Sequence, residues 1–218
     1  MKIFQIGAAG GVGRRLAKRL TDNGVEVSGM VRKPTQSGVV AETGATPVQG
    51  DLITDTVADL SALMAGHDAI VFSAGAHGTG MDQTTLIDGK GLEKAADAAR
   101  AAGVARFVLV SVFPDAGRAS GASEGFEHYM RVKKAADVYL CRTDLDWVIV
   151  RPGRLLDEPG DDHVTAGPAV EYGEVHRDNV AAFIAGVLTN LRVSRAIVEL
   201  TDGPTAVDEA VTTLPTKT

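Results

Sequence analysis

Seven residues near the start of the chain, Gly7-Ala8-Ala9-Gly10-Gly11-Val12-Gly13, constrain the fold more than any other segment. They follow directly on an apolar run, residues 2–6, and lead into an amphipathic stretch, Arg14-Arg15-Leu16-Ala17-Lys18-Arg19-Leu20. A strand that becomes a helix across so short a link needs glycine, because the turn is tight and the main chain must approach other atoms closely. The helix start leaves peptide N–H groups unpaired at the positive end of the helix dipole, which suits a diphosphate. Gly7, Ala9, Gly10, Gly11, Val12 and Gly13 are therefore the first candidate binding residues. With 25 glycines among 218 residues, the G-x-x-G-x-x-G spacing is a weak signal by itself; its place between strand and helix makes it a strong one.

The rest of the chain repeats the same alternation. The first helix stops at Asn23-Gly24, residues that tolerate the left-handed conformation at a helix end. Apolar runs at 25–31, 46–49, 69–73, 107–112, 147–150 and 196–200 read as strands. Helical patterns fall at 55–65, 82–102, 125–142 and near 178–190, and a short strand is expected near 169–175. Residues 153–170 are looser; the acids Asp157, Glu158, Asp161 and Asp162 suggest a solvated loop there, with a short lid as the alternative. Alternating βα units predict an α/β fold of the Rossmann type: a doubly wound, mainly parallel sheet with helices on both faces. One unit spanning 1–218 is expected, with 153–218 supplying a small substrate-side region.

Composition narrows the function. Hydrophobic residues make up 44% and charged residues 23%, which excludes intrinsic disorder. A formal net charge of −6 argues against a nucleic-acid or membrane-surface partner. No apolar run is long enough to span a membrane, and the N-terminus turns glycine-rich too early for a secretion signal. A lone Cys141 rules out an internal disulfide, and five histidines without a close pair make a metal site a poor expectation. The expectation is a cytoplasmic protein acting on a small molecule, with the oligomeric state open.

Residues at later strand ends extend the candidate site. About 20 residues past the glycines, an acid usually meets the ribose of NAD(H). Arg32 and Lys33 occupy that place here; arginine suits a 2′-phosphate, so NADP(H) is expected in preference to NAD(H). Asp51 and Leu52 follow the third strand, and Ala74, Gly75 and Ala76 the fourth. Ligands lie at such carboxyl ends in open α/β sheets. Tyr129 and Lys133 are four residues apart on one predicted helix, so phenol and ammonium share a face. The ammonium is expected to lower the phenol pKa toward a usable acid/base value.

With these residues in place the chain resembles the short-chain dehydrogenase/reductase superfamily, and within it the atypical, extended-like branch of NAD(P)-binding epimerase/dehydratase-type proteins. The resemblance covers nearly the whole chain. It rests on Gly7-x-x-Gly10-x-x-Gly13, Tyr129-x-x-x-Lys133, Trp147-Val148-Ile149-Val150-Arg151-Pro152-Gly153 and Val175-His176-Arg177-Asp178-Asn179-Val180-Ala181. It implies Tyr129 as general acid/base, Lys133 as the residue that lowers its pKa and binds the nicotinamide ribose, and Pro152 and Gly153 beside the nicotinamide. It places Ser111 at the catalytic serine region and Asp88 where the family has an asparagine. The dyad is complete; the four-residue set is not. Too little chain follows Val150 for the large lobe that clasps a nucleotide sugar, so a small carbonyl or quinone-like substrate is expected. Alternatives are a dinucleotide-binding sensor without turnover and a small-substrate epimerase or dehydratase.

Overall fold

The computed structural model describes residues 1–76, 78–116 and 121–214. The first half of the chain runs β1 (Lys2–Ile6), α1 (Gly11–Asp22), β2 (Glu26–Val31), α2 (Ser37–Ala41), β3 (Thr46–Gln49), α3 (Val57–Met64), β4 (Ala69–Phe72) and α4 (Met81–Thr84). A π-helical turn (Thr85–Lys90) then leads into α5 (Gly91–Ala101) and β5 (Arg106–Val110). The second half runs α6 (Glu124–Cys141), β6 (Asp146–Pro152), β7 (Arg154–Leu156), β8 (His163–Gly167), β9 (Glu174–His176), α7 (Arg177–Thr189), β10 (Ala196–Asp202), β11 (Thr205–Ala206) and α8 (Val207–Thr212).

Nine strands form one sheet in the order β11-β8-β10-β6-β5-β4-β1-β2-β3. From β3 to β10 every pairing is parallel; β8 and β11 add an antiparallel edge. This is the doubly wound fold the alternation predicts. Side chains alternate across the strands, so each strand feeds both faces. Ile3, Val71, Val108 and Val148 pack with Leu16 of α1 and Phe183 of α7. Phe4, Ile70, Phe107 and Ile149 pack on the other face with Leu60 of α3, Leu92 of α5 and Leu140 of α6. Chain order reverses between β1 and β4, which opens a crevice at their carboxyl ends where the flanking loops part.

Three departures from the sequence reading bear on that crevice. The helix expected over 82–102 is broken by the π-helical turn, which carries Gly89 and precedes Gly91. Both glycines sit against neighbours, a Cβ at Gly89 falling 3.1 Å from Val132 and one at Gly91 3.0 Å from the Leu86 carbonyl oxygen. Close packing there depends on their missing side chains, and π turns of this kind often mark functional positions. The strand expected near 169–175 is absent except for β9, and β7 and β8 lie in the segment read as loose. β8 holds a fully buried Val164 next to an exposed Thr165, an alternation too short to stand out in sequence. The acids of that segment are strapped down. Asp162 pairs with Arg19 at 2.6 Å, Asp157 with Arg177 at 2.9 Å, and Asp161 accepts from Asn179 at 3.2 Å. The Asp157 and Asp161 side chains nevertheless stay 76% and 75% exposed and Glu158 is exposed. The acids are therefore solvated as expected, on a segment that carries strands and is tied down at these points. Sequence periodicity also missed α2, β11 and α8, all of six residues or fewer.

Candidate functional site

The crevice holds two adjoining cavities that share Gly10, Ser73, Ala74 and Gly75 in their walls. One, of about 400 Å³, lies toward β2 and β3; the other, of about 510 Å³, lies toward β5, α6 and β6. The shared wall makes them two ends of one cleft.

The glycine segment shapes the middle. Gly7 has φ +86°, and a Cβ on it would lie 2.5 Å from the Ala74 nitrogen, so the β1 and β4 termini touch only because this residue is glycine. A Cβ on Gly13 would overlap the Gly7 carbonyl oxygen. Gly13 lines neither cavity, and its part is to let α1 close on the strand end. Its own carbonyl accepts from the buried Gln5 side chain at 2.8 Å. Gly10, Gly11 and Val12 line the cleft, and Gly7 and Ala9 line its β2 side. α1 has no side-chain cap and no acid in its first turn. The N–H groups of Gly11, Val12 and Gly13 have no partner among the described residues. Unpaired donors beside bare glycine backbone fit a diphosphate.

At the β2 end the wall includes Arg32, Gln36, Asp51 and Leu52. Gln36 Oε1 accepts from the Arg32 and Lys33 backbone at 3.1 and 2.9 Å, and Gln49 donates to the Arg32 carbonyl at 2.8 Å. These bonds hold the backbone while the exposed Arg32 guanidinium has no partner among the described residues. Lys33 is not part of the wall. Asp51 Oδ1 caps the Ile53 N–H at 2.8 Å, and Lys94 braces the same turn through the Leu52 and Ile53 carbonyls.

The other cavity gathers Ala76, Asp88, Ser111, Tyr129, Lys133 and Pro152. Gly153 stays outside it; its N–H donates to Leu200 at 2.9 Å, and a Cβ there would strike the Gly173 carbonyl. Ser123 caps α6 by accepting from Phe126 N–H at 3.2 Å, which sets the helix phase. Tyr129, Lys133 and Asp137 then recur every fourth residue on one face. Lys133 is 3% exposed; its Nζ donates to the Val110 carbonyl at 3.1 Å and stands 3.8 Å from Asp88 Oδ1. Asp88, 1% exposed on the π turn, accepts from Ala76 N–H at 2.9 Å through its other oxygen. Ser111 donates to Asp137 Oδ1 at 2.6 Å, and Arg151 grips the second Asp137 oxygen at 2.9 and 3.0 Å.

This charge arrangement reverses one expectation. The Tyr129 phenol is pushed above its ordinary range by burial first, and then by the carboxylates of Asp88 and Asp137. Burial also lowers Lys133, against the pull of the same two carboxylates. Burial and the two carboxylates set the direction of the phenol shift, and the carboxylate beside Lys133 is that of Asp88, 3.8 Å away. Asp137 was not singled out in sequence, and Arg151 and Arg177 stood there only within longer motifs, with no role of their own; Arg177 lines the cavity beside Gly11. The fourfold spacing from Tyr129 was the available signal for Asp137. Between β5 and α6, residues 117–120 lie outside the described residues. A separate concavity of about 630 Å³ runs along the outside of α1, but its Arg15, Lys18 and Arg19 are all in ion pairs.

A family model described as NAD(P)H-binding matches residues 7–191. The chain belongs to that NAD(P)H-binding family. It is 37% identical over 213 residues to the uncharacterized sugar epimerase YhfK of Bacillus subtilis, covering 97% of this chain and 99% of the relative. Among solved structures, a Bacillus halodurans protein provisionally designated an NAD-dependent epimerase/dehydratase is 34% identical, with a TM-score of 0.88 over 97% of this chain and 99% of the other. The oxidoreductase YlbE of Lactococcus lactis is 27% identical, with a TM-score of 0.85 over 97% and 95%. The fold and the matches agree with an atypical short-chain dehydrogenase/reductase of the epimerase/dehydratase-like kind. Among the described residues no helix is long and apolar enough to cross a membrane.

Proposed function

We propose that the protein is an NADP(H)-dependent oxidoreductase that reduces or oxidises a small carbonyl or quinone-like compound, with Tyr129 as the acid/base. The observation that carries this reading is that Tyr129 and Lys133 share one cavity with the glycine-segment residues 10–12. The cofactor supplies a hydride or its acceptor when bound. In support, Gly11 and Val12 offer N–H donors to the diphosphate, and Arg32, unpaired among the described residues and beside Gly7 and Asp51, offers a fork of donors to a 2′-phosphate. Ala74, Gly75 and Ala76 keep the wall thin between the two ends of the cleft.

The Tyr129 phenol is protonated and can hydrogen-bond the oxygen of a carbonyl undergoing reduction. Burial and the Asp88 and Asp137 carboxylates make it a weaker acid than a free phenol, so proton transfer from it calls for positive charge brought by the bound cofactor. Lys133 anchors the α6 face to the β5 end through the Val110 carbonyl, and in this reading its ammonium would donate to the ribose hydroxyls beside the nicotinamide. Ser111 spends its proton on Asp137, so its oxygen faces the cavity as an acceptor and not as a donor. That same bond favours a second reading, a dinucleotide-binding regulator without turnover, since one donor to a substrate oxygen is lost. The test is steady-state NADPH oxidation over a panel of small aldehydes, ketones and quinones, with wild-type protein and Tyr129→Phe. Turnover abolished by the substitution supports the oxidoreductase; a panel without turnover, or turnover indifferent to the substitution, rejects it.

A further inference from the structure

We propose that Arg177 is the side-chain cation for the dinucleotide diphosphate, held aside by Asp157 until the dinucleotide arrives. The proposal rests on the dinucleotide reading above and adds a residue and an exchange to it. Arg177 opens α7 directly after β9, and the β7–β9 pairing aligns Leu156 with His176, which brings Asp157 alongside. The Arg177 side chain lies across Gly11: a Cβ built there would sit 2.8 Å from its Cδ and Nε and 3.7 Å from its Cζ. Glycine at position 11 thus makes room for an arginine as well as for a ligand. The guanidinium stands at the mouth of α1, beside the unpaired N–H groups of Gly11 and Val12 and in the same cavity.

Its present partners are weak. Asp157 Oδ1 lies 2.9 Å away on a carboxylate that is 76% exposed, and the Leu155 carbonyl is at 3.5 Å. A pair with so exposed a carboxylate contributes little, whereas a diphosphate presents charged oxygens to guanidinium and peptide donors at once. Asp157 is not stranded by the exchange. Arg15 Nη1 stands 3.7 Å from the same oxygen and Arg15 Nη2 donates to the Asp157 carbonyl at 2.7 Å, while Arg15 is itself held by Asp178 at 2.9 Å. Rotation of the Arg177 side chain is sufficient; no strand or helix has to move.

Fluorescence titrations with NADPH, NADH and adenosine 2′-monophosphate test this on wild type, Arg177→Gln, Asp157→Asn and the double variant. Arg177→Gln should weaken NADPH and NADH by the same factor, about ten-fold, and leave the 2′-monophosphate, which has no diphosphate, unchanged. Asp157→Asn, at an exposed position, should tighten both dinucleotides about two-fold, and this gain should vanish in the double variant if Asp157 acts through Arg177. Wild-type affinity in Arg177→Gln, weaker binding in Asp157→Asn, or a gain that persists in the double variant overturns the proposal. Wild-type protein that takes up neither dinucleotide overturns the underlying reading instead.

Discussion

The two ends of the cleft are built differently. The β2 end and the glycine segment offer glycine backbone, a few apolar and polar side chains, and an Arg32 guanidinium without a partner among the described residues. The β5–α6 end consists of buried charges that satisfy one another: Lys133 with Asp88, and Ser111 and Arg151 with Asp137. The first end leaves donors unpaired among the described residues, and its wall comes mainly from the ends of β1, β2, β3 and β4. The second works by pairing, and brings together residues from the π turn, β5, α6 and β6. A buried pair broken on one side leaves an uncompensated charge, so substitutions at this end should act on chemistry and stability together. Substitution of Arg32 should act on affinity alone.

The sharpest way to separate the ends is Tyr129→Phe. Carbonyl reduction should fall by about 100-fold or more, with the NADPH dissociation constant within about two-fold of wild type. A comparable loss of affinity would merge the two ends functionally. Next in size is Asp137→Ala, which leaves Arg151 without its buried carboxylate. Chemical denaturation should show a loss of about 3 kcal/mol, and a loss below about 1 kcal/mol would mean the pairing is not what organises that end. Gly13→Ala should destabilise by about 1–3 kcal/mol through overlap with the Gly7 carbonyl, showing that even the binding end has one position where packing decides.

Arg32→Asp should weaken NADPH by about ten-fold while changing NADH far less. Equal losses would remove the 2′-phosphate from the account. The smallest signal is spectroscopic. Because Tyr129 keeps its proton above the ordinary phenol value of 10.0, folded protein should retain a neutral phenol that the unfolded chain has already ionised. The sign follows: the folded state binds the extra proton, so this group's contribution is intact below pH 10 and declines as pH rises through and beyond it. A tyrosinate absorbance titration of Tyr129→Phe should lose one of the components ionising above that value and keep that of Tyr139, which burial and Asp97 also raise.

Legibility in sequence follows the same division. The mainly parallel sheet, the succession of strands along the chain up to β6 and the glycine segment were readable, because each depends on local apolar runs and on positions that only glycine can fill. The order of the strands in the sheet was not. Arg32 was readable because it lies at a set distance beyond the glycines. Gly13 and Gly153 were placed in the cofactor group by their motifs; neither lines the cleft, and their missing side chains make room for the Gly7 and Gly173 carbonyls. Asp88 was named, but its approach to Lys133 depends on a π turn that no helical periodicity announces. The roles of Asp137, Arg151 and Arg177 escaped because their partners lie on other elements, and the strands β7 and β8 escaped because each has too few buried side chains to show a pattern.

The central claim is that one cleft takes up a phosphorylated nicotinamide dinucleotide between Arg32 and Tyr129. Calorimetric titration of the full chain with NADPH, and in parallel with NADH, tests it most directly. The account predicts saturable uptake of NADPH at one molecule per chain, about ten-fold tighter than NADH. No uptake of either at millimolar concentration, or NADH bound more tightly, would contradict it.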